Sequence, residues 1–131
     1  VELIEEKDLS IAYKIYTKEE CDFIFSQSRE DITSAFYQIW TLKESYIKNV
    51  GQGLSIPFDS FYFQFKDSDI ELYVNGKRDY RFSFYSSQLD NRHCTALCVN
   101  TVGQISNENI RILTIKEILE WNENTGGFRI F

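Results

Sequence analysis

The hydrophobic pattern of this chain changes period once, across the stretch from Gly51 to Pro57, and that change limits the folds open to it. Before it, apolar residues recur at three- and four-residue spacing: Leu9, Ala12 and Tyr16, then Phe36, Ile39, Trp40, Tyr46 and Ile47. This is the spacing of a helix with one buried face. After it, Phe61, Phe63 and Phe65 alternate with Tyr62 and Gln64, the period of a strand buried on one side. Helices first and antiparallel strands second describe an α+β domain, with a long helix packed on a small antiparallel sheet.

Local signals set the boundaries. Thr17-Lys18-Glu19-Glu20 is a Thr-x-x-Glu capping box ahead of Phe23 and Ile24, so a helix starts after Thr17. Residues 27–30 are polar and turn-like, Asp31 or Thr33 caps the long helix, and Gly51 stops it. Residues 70–74 run into Asn75-Gly76, a two-residue hairpin signal that predicts a partner strand over roughly residues 79–85. A further strand passes through Cys94, Ala96 and Cys98, and a last short one covers 110–113. Thr114 then caps a helix ending near Trp121, and 122–131, with Gly126-Gly127, reads as a loose tail. There is no internal repeat, and residues 1–131 read as a single domain.

Charge and cysteine usage narrow the setting. Twenty acidic against 14 basic residues give a net charge of −6, which argues against nucleic acid or an anionic membrane as partner. No apolar run approaches the roughly 20 residues of a spanning helix. Three cysteines, Cys21, Cys94 and Cys98, are an odd number that fits free thiols and a cytoplasmic location better than a disulfide framework. The chain opens Val1-Glu2-Leu3-Ile4 and contains no methionine, so something is expected ahead of Val1. That is either a removed initiator or the upstream part of a longer polypeptide, and composition does not choose between them.

Trp40, Glu44 and Lys48 stand at i, i+4 and i+8 on the long helix, a stripe that carries a carboxylate and an ammonium together. By spacing alone this equally describes a surface pair worth a few tenths of a kcal/mol. Other candidates read as structure. Cys94 and Cys98 share one strand face and His93 points to the other, which suits core packing and neither a metal nor a Cys-His nucleophile. Gly51-Gln52-Gly53 lacks the strand-before, helix-after context of a phosphate loop. The alternating phenylalanines 61, 63 and 65 form a buried face more readily than a base-stacking platform.

The longer string Trp40-x-x-Lys43-Glu44-Ser45-x-x-Lys48-x-x-Gly51-x-Gly53-Leu54-Ser55-x-Pro57-x-x-Ser60-Phe61 resembles the signature of the Sfp-type 4′-phosphopantetheinyl transferases. The resemblance extends upstream through residues 9–20 and downstream through 94–99 and 110–119, and it corresponds to the second half of a full-length enzyme. It implies a phosphopantetheinyl transferase-like half-domain and transfer of the phosphopantetheine arm of coenzyme A to a serine of an acyl or peptidyl carrier protein, with Mg²⁺ as cofactor. By the same resemblance Glu44 is a metal ligand and the base for the serine proton, and Lys48 holds phosphate oxygens with Lys43 beside it. The family's Asp-x-Glu motif, at the end of a strand before the first helix of this half, would place Glu2 as second metal ligand and its Asp one residue ahead of Val1. Residues 17–33 would face the carrier protein. The family is built from two similar halves with coenzyme A between them, so an upstream half or a second copy of the chain is an expected partner. The competing class is a non-catalytic domain that keeps the fold as an oligomeric or binding module. An Asp ahead of Val1, preceded by a strand, would separate the enzyme from that module.

Overall fold

A computed structural model describes residues 1–3 and 8–100. Its first elements are β1 (Glu2–Leu3), a 3-10 turn (Leu9–Ile11) and α1 (Ala12–Ile15). The helical spacing of Leu9, Ala12 and Tyr16 is used, but only for these short turns, because Tyr16 becomes extended at φ −109°, ψ 159°. Helix α2 (Lys18–Phe25) then starts at the capping box: the Thr17 hydroxyl accepts from the Glu20 amide and the Glu20 carboxylate accepts from the Thr17 amide.

Helix α3 (Ile32–Val50) is the long helix. Ala35, Phe36, Ile39, Leu42 and Tyr46 form its buried face. It ends because Gly51 takes the left-handed conformation, φ +74°, and donates its N–H to the Ile47 carbonyl at 3.1 Å. Short 3-10 turns at Gly53–Ser55 and Phe58–Ser60 carry the chain into the strands.

The strands make two three-stranded antiparallel sheets. In one, β2 (Phe61–Lys66), β3 (Asp69–Val74) and β4 (Lys77–Arg78) lie in chain order, with Phe61 opposite Val74 and Phe65 opposite Ile70. Asn75 and Gly76, both at positive φ, close the predicted two-residue turn and put Val74 opposite Lys77. The partner strand differs from expectation, since only Lys77–Arg78 pairs with β3. Asp79 is the reason. Its carboxylate accepts from the Arg81 amide at 3.0 Å and pairs with the Arg81 guanidinium at 2.6 Å, bending the chain out of the ladder.

The chain then enters the second sheet as β5 (Ser83–Asp90), returns as β6 (His93–Val99), and β1 pairs on the far side of β6. Helix α3 packs on β5, β6 and the start of β2. One core results, joining Phe61, Phe63 and Leu72 of the first sheet to Phe84, Cys94 and Cys98 of the second through α3. The Tyr46 ring lies 4.8 Å from Phe61, and Phe63 lies 4.8 Å from Phe84. Each fully buried phenylalanine contributes about 1.5–3 kcal/mol. No helix among the described residues is long and apolar enough to cross a membrane. The elements expected over 110–113 and 114–121, and the tail 122–131, lie outside the described residues.

Candidate active site

Consecutive residues on a helix are about 100° apart, so adjacent positions face different surroundings. Lys43 and Glu44 show the consequence. Position 43 follows Ile39 by four residues and precedes Tyr46 and Ile47, which places it on the buried face of α3. Its side chain is 0% exposed. The Lys43 ammonium donates to the Phe58 carbonyl at 2.5 Å and the Phe61 carbonyl at 2.6 Å, and pairs with Glu20 Oε2 at 2.9 Å. Its three donors are thereby used.

Glu20 is equally buried and equally satisfied. Oε1 accepts from the Phe63 amide at 3.0 Å, while Oε2 accepts from Thr17 as well as Lys43. Burial pushes the Glu20 carboxyl up from its ordinary value and the Lys43 ammonium down, each against the pull of its partner. Lys43 is thus not placed to stand beside Lys48 on phosphate oxygens. It is inside the domain with no free donor, and the expectation that it binds cofactor is corrected accordingly.

The stripe of Trp40, Glu44 and Lys48 lies on the boundary. Trp40 stacks on Phe58, centroids 5.0 Å apart and planes within 18°. Glu44 is 28% exposed and its carboxylate meets the Lys48 ammonium at 3.2 Å, Lys48 itself being 74% exposed. An exposed pair of this kind is worth well under about 1 kcal/mol, so substrate can separate it at little cost. Glu2 is half-buried on β1 opposite Cys94. That point of the sheet lies against the Ser34 carbonyl, which the Cys94 thiol reaches at 3.8 Å. Glu44 stands ten positions further along α3, about 15 Å of helix rise. Among the described residues no three His, Cys, Asp or Glu side chains gather in a metal-binding group.

Cys94 and Cys98 are buried in the core with free thiols, and His93, on the opposite strand face, pairs with Asp90 at 2.8 Å. Burial raises both thiols, Cys98 to about 12. These are packing residues. Spacing along the chain does not reveal the importance of Glu20. The capping box located it, but its role as counter-ion depends on the contact between α2 and α3. The matching clue was a lysine in the middle of the apolar face of α3.

A sequence profile of the 4′-phosphopantetheinyl transferase superfamily matches residues 1–98. The chain belongs to that superfamily. It is 27% identical over 118 residues to the 4′-phosphopantetheinyl transferase gsp of Aneurinibacillus migulanus, covering 90% of this chain and 49% of that protein. With the 4′-phosphopantetheinyl transferase Sfp of Bacillus subtilis strain 168 it shares 38% identity over 61 residues, 47% of this chain and 27% of the relative. A mouse relative, L-aminoadipate-semialdehyde dehydrogenase-phosphopantetheinyl transferase, is 27% identical over 105 residues, 72% of this chain and 34% of its own length. The chain thus spans half or less of the length of these superfamily members.

Proposed function

We propose that this chain supplies Glu44 and Lys48 to the site of an enzyme that moves the 4′-phosphopantetheine arm of coenzyme A onto a serine hydroxyl of an acyl or peptidyl carrier protein. It does so as part of a larger chain or of an oligomer. The serine oxygen forms the new bond to the pantetheine-side phosphorus, the pyrophosphate P–O bond breaks, and adenosine 3′,5′-bisphosphate leaves. Glu44 takes the serine proton, directly or through one water. Lys48 exchanges its weak pair with Glu44 for phosphate oxygens of coenzyme A.

The donor set suits Mg²⁺, which takes one or two carboxylates and completes its shell with phosphate oxygens and water. Glu44 fits such an ion because its carboxylate is partly exposed and is paired only to an exposed lysine. Glu2, which the resemblance offers as a second carboxylate, lies on β1 at the level of Ser34 and not of Glu44, so Glu44 is the one carboxylate of this chain proposed for the ion. When bound, the ion neutralises charge on the diphosphate. Residues 17–33 are proposed to face the carrier protein, and the three buried free thiols suit a cytoplasmic location.

The observation that carries this reading is the position of Glu44 and Lys48 at the surface of α3 within a profile match that runs through both sheets. The test is the intact mass of an apo carrier protein incubated with this chain, coenzyme A and Mg²⁺. A gain of one phosphopantetheine, absent with Glu44→Gln, supports it. No gain from the chain, alone or joined to an upstream half, refutes it.

A further inference from the structure

The Glu20–Lys43 pair holds two opposite charges at zero exposure in the middle of the domain. Stability alone does not explain it, because well-packed apolar side chains of similar volume in place of a buried ion pair are often equally or more stable. An ionic node supplies direction. Ammonium and carboxylate bond only to partners at defined positions, so a fully satisfied buried network rigidifies the elements it joins.

The partners here come from separate parts of the chain. Lys43, on α3, holds the Phe58 carbonyl of the turn before β2, the Phe61 carbonyl at the start of β2, and Glu20 of α2. Glu20 in turn holds the Phe63 amide and closes the cap of α2. Beside the apolar face of α3, Lys43 thus ties the helix to α2 and to the start of β2 by directional bonds, and it immediately precedes Glu44. Trp40, one turn before Glu44 on its stripe, is fixed by the same node, since the ring it stacks on belongs to Phe58.

We propose that Glu20 and Lys43 are positioning residues, whose buried pair sets the direction in which Glu44 and Lys48 project from α3. This rests on the reading of Glu44 as the catalytic carboxylate. A displacement of about 1 Å in a catalytic group can cost about a hundredfold in rate, so kcat should fall, and because Lys48 turns with Glu44 the KM for coenzyme A should rise with it.

The test compares wild type with the double variant Glu20→Gln/Lys43→Met, which removes both charges and keeps the volume, and with Glu20→Met/Lys43→Met, a second charge-free pair, should the first not fold. Two readouts are taken on folded protein. The first is transfer kinetics, where a fall in kcat of tenfold or more is expected together with a rise in the KM for coenzyme A. The second needs no activity: nuclear Overhauser contacts between the Trp40 and Phe58 rings, with the amide shifts of Glu44 and Lys48, are expected to be lost or displaced. Wild-type kcat together with intact Trp40–Phe58 contacts in a charge-free variant would overturn the proposal and leave the pair as filler. If wild type itself transfers nothing, the functional reading fails for this chain, and the ring contacts still decide whether the pair sets the helix.

Discussion

Replacing Lys43 with methionine should destabilise the domain far more than an ordinary lysine substitution, and the structure gives the size. The variant leaves the Glu20 carboxylate at zero exposure with only the amides of Thr17 and Phe63 for company. Removing one partner of a buried pair costs about 3–5 kcal/mol. The carbonyls of Phe58 and Phe61 lose their donor as well, about 1 kcal/mol each. Part of this is recovered when Glu20 binds a proton, so a net loss of about 3–5 kcal/mol is expected, against about 5–15 kcal/mol for a whole domain.

Glu20→Gln keeps one acceptor and loses the other, at about 2–4 kcal/mol. The double variant buries no charge and should lose only about 1–2 kcal/mol, so the two singles are strongly non-additive. Urea unfolding followed by tryptophan fluorescence measures all three. The pH dependence has a definite sign. Burial holds the folded Glu20 carboxyl above its ordinary 4.5, so the protonated form favours the folded state and stability is lost as pH rises through the folded value. Without Lys43 that value rises further, and the deficit of Lys43→Met against wild type should narrow as pH falls toward 4.5. Single variants that each cost under about 1 kcal/mol and add in the double would refute the buried pair.

Other consequences can be checked separately. Glu44→Gln should abolish transfer while changing unfolding free energy by less than about 0.5 kcal/mol, because the group is part-exposed and its partner is an exposed lysine. Gly51→Ala should cost about 1–2 kcal/mol in urea unfolding from its left-handed backbone alone, since nothing lies within 4 Å of the added Cβ. All three cysteines should resist a thiol reagent at pH 8 in the native state and react together in urea. Cys98, raised from 9.0 to about 12, adds a loss of stability as pH climbs above 9, read from unfolding curves across that range.

How far the fold could be read from the sequence followed the range of the interactions involved. The start of α2, the end of α3 and the Asn75-Gly76 turn were legible because each is decided within four residues by a cap or a positive φ. The partner of β3 was not. Asp79 looks compatible with a strand until its carboxylate closes on Arg81. Strand β1 is two residues long and exists through pairing with β6, some ninety positions away, so no local pattern marks it. At the site, the stripe of Trp40, Glu44 and Lys48 is visible in the spacing, whereas the resemblance alone puts Lys43 on the wrong side of the helix. Its neighbours Ile39, Tyr46 and Ile47 placed it on the buried face, and the resemblance to an enzyme family drew it outward instead.

The division of labour between Lys43 inside and Lys48 outside is tested most directly by amine acetylation of the native chain, read residue by residue by mass spectrometry with and without coenzyme A and Mg²⁺. Lys43, at 0% side-chain exposure, should stay unmodified throughout, and Lys48, at 74%, should acetylate freely and become protected by coenzyme A. Acetylation of Lys43 at the rate of Lys48, or a Lys48 rate indifferent to coenzyme A, would contradict the account.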